Sequence, residues 1–145
     1  MMLLDVNVLV YAHRVEPELH PPIAAWLTAL VISGQDYALS EEICAGLVRV
    51  VTNPRTHQPP STLAQAMGFI EQLATQPNCR MLRGGPRRFA IFKDLLERSG
   101  VTGPRVSDAW HASLAIEHGC DFASCDSDML RFPGLRWHHP LRPRN

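Results

Sequence analysis

Residues 3–13 read LLDVNVLVYAH, an apolar run broken by one carboxylate, Asp5, and one amide, Asn7. An ionised aspartate is almost never fully buried unless it is paired or bound to a cation, so this run is not one continuous core segment. LLDV has the length and composition of a short buried strand, and NVLVYAH reads as the helical turn that follows it. Asp5 then stands at the carboxyl end of the strand, and something has to compensate its charge.

The same alternation continues along the chain. HPPIAAWLTALVISG (20–34) opens on prolines, places apolar residues at helical spacing and stops at Gly34, after which YALS (37–40) is a second short strand. EEICAGLVRVVTN (41–53) begins behind Ser40, a good N-cap residue, and ends before Pro54. Beyond the turn-rich THQPPS, TLAQAMGFIEQLATQ (62–76) predicts a helix, CRML (79–82) a strand, and RRFAIFKDLLERSG (87–100) an amphipathic helix ended by Gly100. VTGPRV is read as a loop and SDAWHASLAIEHG (107–119) as a helix capped by Ser107. The strand CDFAS, the turn CDSDMLRFPG and a last strand, LRWHH, complete the chain. Strands alternating with helices predict an α/β fold with a central, mainly parallel, short-stranded sheet flanked by helices. Strand order is left open by the sequence.

At 145 residues the chain is expected to form one domain over 1–145, with a short Arg- and Pro-rich tail at about 139–145. Its longest apolar stretches fall short of the roughly 20 residues needed to span a bilayer. The amino terminus lacks the basic n-region of a signal peptide, so a cytoplasmic protein is expected. Cys44, Cys79, Cys120 and Cys125 show no paired ligand spacing, which argues against a zinc site or a disulfide framework. Net charge is zero but unevenly distributed: residues 80–105 and the tail, which includes Arg142 and Arg144, are rich in arginine, whereas residues 106–130 carry five acids and no Lys or Arg. Arginine's planar fork suits bidentate phosphate contacts.

In open parallel sheets, ligands bind beyond the carboxyl ends of the strands. Asp5 ends the first strand, Glu41 and Glu42 follow the second, Asp108 opens a late helix, and Asp126 and Asp128 follow the strand FAS. Several carboxylates in one cleft repel one another unless a cation neutralises them. An all-oxygen donor set points to a hard ion, Mg²⁺ or Mn²⁺. Each acid also has a plainer reading. Glu41, Glu42 and Asp108 are favoured at helix N-termini by the helix dipole, Asp126 and Asp128 suit a turn, and Asn7 suits either a cap or a partner to a metal-bound water.

These stretches resemble a known family. LLDVNVLVYA, RVVTNPR (49–55) and above all VSDAWHASLAIEHGCDFASCDSDMLRFPGLRW (106–137) are similar to a PIN domain, and more closely to a VapC-type toxin of a type II toxin–antitoxin (VapBC) system. The resemblance implies a Mg²⁺-dependent endoribonuclease, with Mn²⁺ as a possible substitute, that hydrolyses RNA phosphodiester bonds and leaves a 5′-phosphate. It implies that Asp5, Asp108 and Asp126 hold the metal, with Asp128 as an alternate and Asn7 and Ser124 as accessory polar residues. Where many family members carry a glutamate inside the second helix, this chain reads AGLV, with Gly46. The fourth acid is therefore assigned to Glu41, with Glu42 as the alternate. The implied partners are a VapB-like antitoxin, an RNA substrate and a second copy of the chain in a homodimer.

Two other readings start from the same residues. Gly46 is compatible with a domain that has lost catalysis and only binds its antitoxin or RNA. Asp5 after a first strand is also where a haloacid-dehalogenase-like phosphatase has its nucleophile, although DVNVL carries an amide in place of the second acid, and Lys93 is the only lysine available for that chemistry.

Overall fold

A computed structural model describes residues 1–142; Arg144 and the end of the 139–145 tail lie outside the described residues. Five short strands form one sheet, β1 (Met2–Leu4), β2 (Tyr37–Ser40), β3 (Cys79–Leu82), β4 (Asp121–Ala123) and β5 (Arg136–His138), in the order β3-β2-β1-β4-β5. Every pairing is parallel. Six α-helices connect and cover them: α1 (Val6–His13), α2 (His20–Ile32), α3 (Glu41–Val51), α4 (Leu63–Ala74), α5 (Arg88–Ser99) and α6 (Val106–Glu117). No helix among the described residues is long and apolar enough to cross a membrane.

β1 and β2 are buried along their whole length, as expected of strands covered on both faces. Leu3, Leu4, Ala38 and Leu39 share one buried core with Phe122 and Ala123 of β4 and with Val8, Leu9, Ile43, Leu47 and Leu114 from the helices. The chain runs from β1 outward to β2 and β3, then returns to lay β4 on the other side of β1. That reversal puts the topological switch point, where parallel sheets open a crevice, between β1 and β4. Leu4 is in register with Ala123, and the Asp5 N–H donates to the Ala123 carbonyl at 2.9 Å. Asp5 and Ser124 therefore leave the sheet side by side.

Local signals account for most boundaries. Ser40 Oγ accepts from the Ile43 N–H, and Thr62 and Gln65 form a reciprocal capping box. Gly100 ends α5 in the left-handed conformation, at φ 68°. The helix containing Asp108 starts differently from the sequence expectation. Gly103–Arg105 form a 3-10 turn that runs directly into α6 at Val106, and Ser107 lies inside the first turn, its hydroxyl donating to the Pro104 carbonyl. Ser107 is not the cap because the 3-10 turn already supplies the entry to the helix.

α1 and α3 approach closely at Gly46. A Cβ built there would lie 2.9 Å from Val6 Cγ2. Farther out, the buried Arg14 at the end of α1 donates to Ser61 Oγ and the Pro59 carbonyl, tying the connection after α3 back against α1.

Candidate active site

Asp5 is only 5% exposed, with β1 behind it and α1 starting at the next residue. It caps that helix, Oδ1 accepting from the Val6 N–H at 2.7 Å. Its other oxygen accepts from Ser124 Oγ at 2.6 Å and from Asn7 Nδ2 at 2.9 Å. The Ser124 hydroxyl is fully used: it donates to Asp5 and accepts from Asn7 Nδ2 and from the Asp126 N–H. Asn7 completes the network by accepting from the Cys125 N–H at 3.0 Å. Asn7 and Ser124 thus lock the first carboxylate to the loop that carries Asp126.

The network does not make ionisation of Asp5 easy. Burial pushes its carboxyl up from 3.8 to about 6 against the hydrogen bonds from Ser124 and Val6, with repulsion from Asp108 and Asp126 adding to the rise. Asp108 is likewise raised, first by burial and then by Asp126, with Arg105 opposing. The carboxylates at the end of β1, in α6 and in the loop after β4 therefore share one electrostatic site. They open on a cavity of about 740 Å³, lined also by Asn7, Glu42, Gly46, Arg49, His57 and His111.

The fourth acid is placed differently from the sequence preference. Glu42 lines the cavity, whereas Glu41 turns outward and pairs with Arg83 at 2.8 Å on the exposed surface. Successive helical residues point about 100° apart, and Glu42 shares the face of Gly46, four residues on. Glu42 is held by the buried Arg88, whose Nη1 lies 2.6 Å from Oε1 and whose guanidinium stacks 3.8 Å from the Trp110 ring centroid. Burial works to raise the Glu42 carboxyl, but the hydrogen bond and charge of Arg88, together with hydrogen bonds from the backbone and Ser40, hold Glu42 below its usual value. Asp126 lines the cavity and caps the 3-10 turn Ser127–Arg131 by accepting from the Asp128 N–H. Asp128 is not on the cavity wall; it pairs with Arg105 and Arg131.

Two residues beside these carboxylates were not singled out as site residues in the sequence. Arg105, three residues before Asp108, places Nη1 3.7 Å from both Asp108 Oδ2 and Asp126 Oδ2 while pairing with Asp128. His111 follows Asp108 by three residues on the same face of α6; burial and then Arg88 depress its imidazole, and its buried Nδ1 has no hydrogen-bond partner. Helical spacing from Asp108 was the available clue to both. Among the described residues no group of three or more His, Cys, Asp or Glu side chains is gathered at metal-holding distance. The donor set nonetheless fits a hard cation in kind. It is all oxygen, it is negative, and its most buried member is destabilised first by burial and further by repulsion from Asp108 and Asp126, both of which a cation offsets.

Comparison with known proteins shows the family and the fold. The sequence matches the PIN domain over residues 2–135. It is 35% identical over 141 residues to VapC ribonuclease Mb2897 of Mycobacterium bovis, covering 97% of this chain and 96% of that protein. It is 31% identical over 140 residues to ribonuclease VapC25 of Mycobacterium tuberculosis, covering 97% and 99% of the two. In fold it is similar to the crystal structure of VapBC2 from Rickettsia felis bound to a DNA fragment from their promoter, with a TM-score of 0.70 and 18% identity over 95% of this chain and 97% of that one.

Proposed function

The chain belongs to the PIN domain family, and from that premise we propose that it is the VapC-type toxin of a type II toxin–antitoxin pair, an endoribonuclease that uses Mg²⁺ or Mn²⁺ in the cytoplasm. The observation that carries the reading is Asp5, a buried carboxylate at the sheet's switch point that faces Asp108 and Asp126 across a cavity open to solvent.

Asp5, Asp108, Asp126 and Glu42 are the residues that would hold the ion. Held by these carboxylates, the ion would lower the pKa of a water and offset charge on the scissile phosphate. Asn7 and Ser124 keep Asp5 turned toward the cavity, because each donates to the same oxygen, Oδ2. Arg88 does the same for Glu42. Arg105 spreads one positive charge over Asp108, Asp126 and Asp128, lowering the repulsion that an incoming phosphate meets. A VapB-like antitoxin and a second copy of the chain are the proposed protein partners.

The competing readings lose their motives. Gly46 has a packing reason, since Val6 occupies the space a side chain would need. Lys93, required by a phosphatase of the haloacid-dehalogenase type, is exposed on α5 beside Glu97 and does not line the cavity.

The test is cleavage of cellular RNA by the purified chain in Mg²⁺ or Mn²⁺, with mapping of the new ends. Activity is expected to disappear with EDTA and in Asp5→Ala, Asp108→Ala and Asp126→Ala. Activity retained in all three variants would sink the assignment. Growth arrest on expression, relieved by co-expression of an adjacent upstream reading frame, tests the toxin role.

A further inference from the structure

The arginines that make the sequence look basic are mostly committed. Arg80 pairs with Asp36, Arg83 with Glu41, Arg88 with Glu42, Arg98 with Asp94 and Arg136 with Asp121, and Arg105 and Arg131 share Asp128. Arg14 pairs with Glu16, Lys93 with Glu97, Arg87 donates to the Glu117 carbonyl, and Arg142 lies over the Trp137 ring. Among the described residues, only Arg49 and Arg55 are cationic side chains without an ion pair, a hydrogen bond or a ring contact.

Their placement is as telling as their freedom. Glu42, Ala45, Gly46, Arg49 and Val50 form one stripe of α3 along the cavity wall. Arg49 lies seven residues beyond Glu42, about 10 Å along the helix axis. The turn after α3 folds back on the Val50 carbonyl, which accepts from Thr56 Oγ1 and lies 3.3 Å from His57 Nδ1. The turn brings His57 onto the cavity wall and carries the exposed Arg55 beyond it. The cavity therefore runs from an acidic end to one whose only unneutralised charge is positive.

We propose that Arg49, followed by Arg55, binds the RNA backbone next to the scissile phosphate. These two side chains form the phosphate track that leads the strand out of the carboxylate cavity. This assignment rests on the ribonuclease reading. A free guanidinium presents its full fork to a phosphate, whereas the paired arginines of α5 would first have to give up a carboxylate. Each phosphate contact on a single strand contributes about 0.7 to the slope of log affinity against log salt.

The experiment measures anisotropy of a labelled single-stranded RNA of mixed sequence with the full chain in EDTA, across a KCl series, and compares Arg49→Gln and Arg55→Gln with Arg80→Gln and Arg98→Gln. The first two are expected to bind several-fold more weakly, each with a salt slope shallower by about 0.7; the last two are expected to bind as the unaltered chain does. In cleavage, Arg49→Gln is expected to raise KM with little change in kcat. If the unaltered chain binds and cuts RNA while Arg49→Gln matches it in affinity and slope, the track is wrong and the ribonuclease reading survives. Equal weakening by Arg80→Gln would also overturn the track, since bulk charge alone would then account for binding. Loss of affinity only for the co-expressed antitoxin would assign these arginines to a protein partner instead. No RNA affinity and no metal-dependent cleavage by the unaltered chain would remove both readings.

Discussion

Asp5 is the residue at which fold and chemistry conflict most directly. Three donors hold its carboxylate in place, yet burial and two neighbouring acids keep its pKa near 6 rather than 3.8. A folded-state pKa above the unfolded one means that the folded protein holds the proton more tightly. The resulting stabilisation is complete below about pH 3.8 and is lost as the pH rises through about 6. Replacing the carboxylate by a neutral isostere is therefore expected to stabilise the metal-free protein at neutral pH, by at most about 3 kcal/mol. Asp5→Asn should raise Tm in EDTA at pH 7.5 and give no gain at pH 4, as measured by calorimetry. The gain falls short of that ceiling because an amide on the Oδ2 side would face the Asn7 Nδ2 donor. An unchanged Tm difference across that pH range would show that the charge on Asp5 is not the destabilising group.

Among the elements, the α1–α3 contact decides the width of the cavity. Both helices line it, through Asn7, Val10 and Tyr11 on one side and Glu42, Gly46 and Arg49 on the other. Their approach depends on Gly46, against which Val6 packs where a Cβ would be. Val6 is β-branched and stiff, so an added methyl is not absorbed by a rotamer change, and overpacking of this kind costs about 1–3 kcal/mol. Alanine's better helix propensity returns about 1 kcal/mol. Gly46→Ala alone is expected to be neutral to destabilising, and in a Val6→Ala background to be stabilising. Chemical denaturation of the four proteins in this cycle measures the coupling, and additive effects would rule out the steric account.

At the level of the whole molecule, the acids belong to the β1–α1 junction, α3, α6 and the loop after β4, so an ion that joins them would join elements far apart in sequence. A ligand bound only by the folded state stabilises it by about 2.7 kcal/mol at a hundredfold excess over Kd. Mg²⁺ or Mn²⁺ is expected to raise Tm in the unaltered chain and to lose most of that effect in Asp108→Ala, while Ca²⁺-free EDTA buffer restores the metal-free value. Equal shifts in both proteins would mean that the ion binds elsewhere.

Much of this was legible in the linear sequence. Apolar periodicity, prolines, glycines and caps are local signals, so YALS, CRML and the helix ended by Gly100 stand where they are read. The isolated acid in LLDVNVL likewise marked the end of the first strand. Ser107 was misread as a cap because the 3-10 turn ahead of it depends on Gly103 at positive φ, a backbone choice made with its neighbours. The choice between Glu41 and Glu42 turned on about 100° of helix rotation, set by how α3 docks through Gly46 and Arg88. The strand order, Arg105 among three carboxylates and the freedom of Arg49 also belong to the tertiary structure. Each depends on which side chains meet across more than one element, and residue type alone carries no record of those meetings.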